Sequence, residues 1–179
     1  MSDDEEYDYG SDDSVQYSDD GEDDGDLQDD SKIEVENAFY EASDVRDENK
    51  KSALELFNKV VELDCELEQR GEPVLWRFKA LQNLVTLHCE LRDYSSMTSS
   101  YKGMLKDMHL ATRNECTEAI DIVLDAVSDA SDEKVLKEIF EITLSALEST
   151  NNDRLWFGTN IKLAKLYLKD QDAPRIDEV

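Results

Sequence analysis

From Ile33 onward the apolar residues return every three or four positions and hardly ever alternate, and that spacing commits the chain to helices. Ile33, Glu36, Phe39 and Tyr40 begin a first helix. Asp47-Glu48-Asn49 breaks it and caps a second, whose face carries Ala53, Leu56, Phe57, Val60 and Leu63. Gly71-Glu72-Pro73 ends that region, and Pro73 suits the first turn of a third helix. Leu75, Phe78, Leu81, Leu84, Val85 and Leu87 supply the apolar face of the third. Asp93 caps a fourth with Met97, Tyr101, Met104, Leu105 and Met108, and Thr112 or Asn114 opens a fifth with Ile120, Val123, Leu124 and Val127. Ser131-Asp132-Glu133 starts a sixth with Leu136, Ile139, Phe140, Leu144 and Leu147. Asn151 or Asn152 caps a seventh, in which Leu155, Thr159, Leu163, Leu166 and Tyr167 share a face. The expected fold class is all-α.

The helices also repeat. Phe57, Tyr101 and Phe140 are separated by 44 and 39 residues, and each follows a smaller apolar residue one turn earlier: Ala53, Met97 and Leu136. A period near forty with alternating helix pairs predicts a tetratricopeptide-like helical-repeat solenoid. In such a stack, pairs build a right-handed superhelix with a concave binding face. Trp76 and Trp156 are expected to anchor the core or a repeat interface.

Charge divides the chain into two parts. Of the formal net charge of −26, residues 1–30 carry −15 and contain no Lys or Arg, leaving −11 for the remainder. Residues 1–31 bury too little apolar surface to offset their ordering entropy and are expected to be a disordered acidic tail. Residues 32–170 form the repeat domain in this reading, and residues 171–179 an irregular end. The tail serves either as a solubilising segment or as an arm that docks in a basic groove, with its tyrosines adding contact area. So acidic a surface repels nucleic-acid phosphate and anionic lipid, which points to basic proteins as partners rather than nucleic acid or membrane.

Three scattered cysteines (Cys65, Cys89 and Cys116) set in helical patterns read as reduced thiols. The opening Met1-Ser2-Asp3-Asp4-Glu5-Glu6 has neither the basic nor the apolar region of a signal peptide. The expected location is the nucleus and cytoplasm. An enzyme is not expected, and neither catalytic nor metal-binding residues are assigned. His88 and His109 are the only histidines, no HExxH or GxSxG is present, and no glycine loop could cradle phosphate. His88 and Cys89 are adjacent and so face different sides of a helix.

A series of collinear motifs resembles one family. Asn152-Asp153-Arg154-Leu155-Trp156-Phe157 through Leu168 is similar to the NDRLWFKTNxKLGKLYL helix of the COP9 signalosome subunit 2 family. Val35 to Tyr40 resembles that family's first-helix motif, and Ala53 to Leu63 its ALxxFxxVLEL. Trp76 to Leu81 is similar to WGFKAL, Thr112-Arg113-Asn114 to TRN, and Phe140 to Leu147 to FYETTLEAL. Tyr17-Ser18-Asp19-Asp20 is similar to the family's acidic YSDD-type start. The resemblance covers essentially residues 1–169. The family's second half, which ends in a winged-helix domain, has no counterpart in this chain, so the sequence reads as a fragment, a short isoform or a truncated paralogue.

The resemblance implies a non-catalytic scaffold that recognises cullin–RING ubiquitin ligases so that another signalosome subunit can remove a ubiquitin-like modifier from the cullin. The implied partners are other signalosome subunits, the cullin C-terminal domain and the RING protein, with inositol hexakisphosphate as a bridging ligand. Carried onto this sequence, Lys79 matches the family lysine of FKAL and is the leading candidate for a phosphate contact. Arg70 and Arg77 lie beside it in sequence, and Arg113 and Arg154 match further family positions. Gln82 and Thr86 stand where the family carries lysines, which implies a weakened pocket. Tyr17, Asp19 and Asp20 are the implied docking residues of the tail. Two other readings fit the same tail: a chaperone or transcriptional cofactor for a basic nuclear protein, and a truncated decoy that binds ligases without joining the signalosome.

Overall fold

The computed structural model describes residues 24–129, 133–148, 150 and 152–172, and among them are seven α-helices and no strand. The helices are α1 (Asp24–Val45), α2 (Lys50–Gln69), α3 (Arg77–Glu90), α4 (Tyr94–Lys106), α5 (Arg113–Asp129), α6 (Glu133–Glu148) and α7 (Asp153–Asp172), with a 3-10 turn at Asp107–Leu110. Adjacent helices pack in sequence from α1 to α4 and from α5 to α7. Contacts between α3 and α5 and between α4 and α6 join each hairpin to the next. That i, i+2 pairing makes the fold a helical repeat, because each hairpin leaves an apolar face that only the next hairpin covers. No described helix is long and apolar enough to cross a membrane.

The three repeat-marking aromatics are all in the core. Phe57 and Tyr101 are fully buried and Phe140 nearly so, each over its own buried small residue, Ala53, Met97 or Leu136. Tyr101 needs a partner for its buried hydroxyl and finds it in the Thr143 hydroxyl of α6 at 2.7 Å. Burial pushes the Tyr101 phenol well above its ordinary pKa, so the ring stays neutral.

Local caps fix where α2, α4 and α5 start. Asn49 accepts a hydrogen bond from the Ser52 amide and Asp93 one from the Ser96 amide, both at 3.2 Å. At α5 the sequence left Thr112 or Asn114 open. The structure uses Thr112, whose hydroxyl accepts from the Glu115 amide at 3.3 Å while the Glu115 carboxylate accepts from the Thr112 amide at 2.9 Å. Helix α2 ends in a Schellman turn, with the Glu72 amide donating to the Leu67 carbonyl and the Gly71 amide to that of Glu68. Gly71 takes the left-handed φ of +78° there.

Four expectations shift. The buried stripe of α1 is Val35, Ala38 and Ala42, while Ile33 and Tyr40 are exposed. Helix α3 begins at Arg77 rather than at Pro73, which leaves Leu75 63% exposed in the connection. The cause is tertiary: the buried Asp64 carboxylate of α2 accepts hydrogen bonds from the Trp76 and Arg77 amides at 2.7 and 2.6 Å, capping α3 from the neighbouring helix. In α7, Leu155, Thr159 and Leu163 are buried, but Tyr167 is exposed and lies under the Lys137 ammonium, 5.2 Å from the ring centroid. Trp156 is also exposed, whereas Trp76 is half-buried against Phe39 and Tyr40.

Candidate partner-binding surface

The candidate cations fall into three different environments. Arg77 is buried, with 7% of its side chain exposed. Its guanidinium donates to Asp107 through Nε at 2.6 Å and Nη2 at 3.1 Å, and to Glu68 through Nη1 at 2.6 Å and Nη2 at 3.3 Å. Such paired planar contacts use the fork geometry of Arg in full. They push the Arg77 pKa up and hold the Glu68 carboxyl below its ordinary range. Burial pushes the nearby Asp64 carboxyl up in spite of its two amide donors. Arg77 is thus the tie between α2, α3 and the turn after α4, and its donors point at the fold rather than at a ligand.

Arg70 caps the end of α2 at the surface and sits 3.7 Å from Glu66. Among the described residues no ion pair links it to Lys79, whose partner is Glu115. Lys79 is exposed on α3, its ammonium 5.6 Å from the centre of the Trp76 ring and 3.8 Å from the Glu115 carboxylate. Glu115 in turn belongs to the capping box of α5, and the Thr112 amide and hydroxyl hold its carboxyl below the ordinary range. Two residues before it stands Arg113, which donates to Asn152 Oδ1 at 3.3 Å. The structure therefore brings Lys79 and Arg113 to opposite sides of the first turn of α5, and leaves Arg70 and Arg77 out of that set. Tyr17, Asp19 and Asp20 lie outside the described residues.

Sequence reading missed the residues that join α5 to α7. Asn152 Nδ2 donates to the Thr117 hydroxyl at 3.3 Å, and Lys162 reaches Asp121 at 3.1 Å and Asp125 at 3.7 Å. Between the two helices lies a cleft of about 700 Å³ lined by Arg113, Thr117, Asp121, Arg154, Thr159 and Lys162. A second cleft of about 350 Å³, walled by Met108, Ala111, Cys116 and Leu147, shares Arg113, Asn152 and Leu155 with it. Nothing in the spacing announces these contacts, since they join residues 35 to 41 apart. The Arg77 tie did leave a trace. Asp64 falls between Val60 and Leu67 on the buried stripe of α2, and a carboxylate there must find donors in another helix. No cluster of three or more His, Cys, Asp or Glu suited to a metal occurs among the described residues.

No protein-family model matches the chain. It is similar along its full length to COP9 signalosome complex subunit 2 of Drosophila melanogaster, at 36% identity over 37% of that protein. Similarity to the subunit 2 of Dictyostelium discoideum runs at 33% identity over 82% of this chain and 32% of that protein. For Caenorhabditis elegans the figures are 33% identity, 92% and 33%. The chain spans about a third of the length of these curated relatives. The resemblance read from the motifs extends along nearly the whole chain, and the chain belongs to the COP9 signalosome subunit 2 family.

Proposed function

We propose that this chain is a non-catalytic arm of the COP9 signalosome that recognises cullin–RING ubiquitin ligases so that the cullin can be deneddylated. One observation carries the reading: three subunit 2 relatives at 33–36% identity match most of the chain, and the Drosophila one matches all of it. The partners are other signalosome subunits, the cullin C-terminal domain and its RING protein, and the place of action is the nucleus and cytoplasm. Physical chemistry supports the choice of partner. A net charge of −26 sets up a field that attracts basic protein surfaces and speeds encounter with them. At physiological salt that field decays over about 8 Å, so the tail acts near contact rather than at long range. Lys79 and Arg113 flank the start of α5 and are the residues proposed to reach inositol hexakisphosphate or an acidic partner group.

The test is binding of the purified full chain to a cullin C-terminal domain with its RING partner, at low and high salt. A version with the acids of residues 1–23 changed to their amides is measured beside it. The reading expects saturable, salt-sensitive binding that weakens when the tail is neutralised. Absence of binding to the ligase, together with tight binding to a histone, would replace it with the acidic chaperone reading. Capture of ligase without other signalosome subunits would favour the decoy reading.

A further inference from the structure

Helix α7 is apolar on two sides. Leu155, Thr159 and Leu163 are buried and make its inner stripe. At about 100° per residue, Phe157, Ile161, Ala164 and Leu168 fall within about 60° of one another on the opposite side. That outer stripe is open to water: Phe157 is 62% exposed, Leu168 61% and Ile161 41%, and Ala164 is exposed as well. Single apolar residues on a surface are ordinary, but four in register along roughly three turns make a continuous ridge. A helix apolar on both sides is built to lie between two layers, and α6 and α5 supply one of them.

The outer stripe is complementary to itself. Its steps of four, three and four residues are those of the seam between two helices packed side by side. Run antiparallel, one copy sets Phe157 against Leu168 of the second copy and Ile161 against its Ala164, and two-fold symmetry makes each contact twice. At the centre a large side chain meets a small one, which lets the helices approach closely. Charge also favours this face. The chain carries a net −26, yet α7 has no acidic residue from Arg154 to Lys169. In the same register the exposed Lys165 comes level with the uncharged Asn160, and Arg154 with the last turn of the other α7, where the helix dipole favours a cation. The stripe exposes on the order of 400 Å² per copy, given aromatic side chains that bury roughly 150–250 Å² each. With the stems of Arg154 and Lys165 at its edge, two copies hide roughly 1,000 Å², the lower limit of a specific interface.

We propose that a second copy of this chain covers the outer stripe, with the two α7 helices antiparallel, to give a weak and reversible dimer. The assignment does not rest on the cullin-ligase reading, and the two respond to salt with opposite sign. Ligase binding joins an acidic chain to a basic surface and weakens as salt rises. Self-association brings two chains of −26 together through an apolar contact, so screening their repulsion strengthens it.

The experiment is sedimentation equilibrium of the full chain from about 5 to about 500 μM, at about 50 and about 500 mM salt. A monomer–dimer equilibrium with a Kd on the order of 10–100 μM is expected at the higher salt, and one several-fold weaker at the lower. Phe157→Glu should weaken the dimer about tenfold or more, since it buries a charge against the second copy's Leu168. Its urea midpoint at dilute concentration should match the parent, because Phe157 is exposed in the monomer. Leu75→Ser, which changes an equally exposed leucine away from α7, should leave the dimer intact. Direction is read by cross-linking under mild oxidation. Phe157→Cys mixed with Leu168→Cys should give a disulfide-linked dimer, and neither should do so alone, because like positions then stand about 16 Å apart along the helices. Cross-linking of each variant with itself would show a parallel pair and overturn the register. Dimerisation that weakens with salt, or that Leu75→Ser abolishes as Phe157→Glu does, would overturn the stripe as the contact. A monomer at every concentration would overturn the proposal and leave the stripe to a helix of a different protein.

Discussion

The junction between α2 and α3 and the junction between α5 and α7 use the same residue types to opposite ends. At the first, Asp64, Arg77, Glu68 and Asp107 close on one another, every guanidinium nitrogen has an acceptor, and all but Glu68 lie largely out of water. At the second, Arg113 and Arg154 are exposed beside a cleft, and a buried threonine hydroxyl lacks a partner. The first junction spends its charge on holding two hairpins in register. The second is more open to water, with Arg113 tied to Asn152 and Arg154 exposed. How deeply an arginine is buried therefore depends on what neighbouring helices bring to it across tens of residues.

The contrast can be broken most sharply at Arg77. Arg77→Met leaves Asp107 without its partner in a nearly dry setting and removes the link from α2 to the turn after α4. It should cost about 3 kcal/mol in urea unfolding, the scale of a broken buried pair. Next comes Asp64→Ala, which strands the Trp76 and Arg77 amides and should cost about 2 kcal/mol by the same measurement. At the other junction Asn152→Ala should cost about 1 kcal/mol or less, because its two hydrogen bonds are long and partly wet.

Acid titration sharpens the same comparison through sign. Burial raises the Asp64 pKa above its unfolded value, so the folded state holds that proton more tightly. The contribution of Asp64 therefore favours the fold in acid and fades as pH rises through the raised value. Thr112 lowers the pKa of Glu115, and its contribution is complete above the unfolded value and lost as pH falls through the folded one. Between pH 5 and pH 3, on the order of one unit either side of ordinary carboxylate values, Glu115→Gln should flatten the loss of stability. Asp64→Asn should steepen it. Thermal unfolding across that range reads both, and the same direction for the two variants would contradict the assignment.

Much of the fold was legible because periodicity reports local physics. Phe57, Tyr101 and Phe140 declared the repeat, and Asn49 and Asp93 declared their helix starts, since a cap acts within three residues. Pro73 misled because the true cap of α3 is a carboxylate on another helix, and propensity carries no record of a partner that distant. The candidate site was legible only where a motif carried a family likeness. Lys79 reaches Glu115 and Arg113 reaches Asn152, both at the start of α5. Arg77 looked like their neighbour in sequence, yet its place two residues before Lys79 turns it to the other side of α3, into the acids of α2 and the following turn. Thr159 counted as part of an apolar stripe, which it is, and its unpartnered hydroxyl shows only once α5 is packed against it.

The most direct test of this account is equilibrium urea unfolding of Arg77→Met beside Arg154→Ala. The midpoint should fall strongly for Arg77→Met and stay within about 0.5 kcal/mol of the parent for Arg154→Ala, as expected of an exposed charge with no role in the fold. Equal losses, or a larger loss at Arg154, would show that the α5–α7 junction is held by its arginines after all and that the division between a closed and an open junction is wrong.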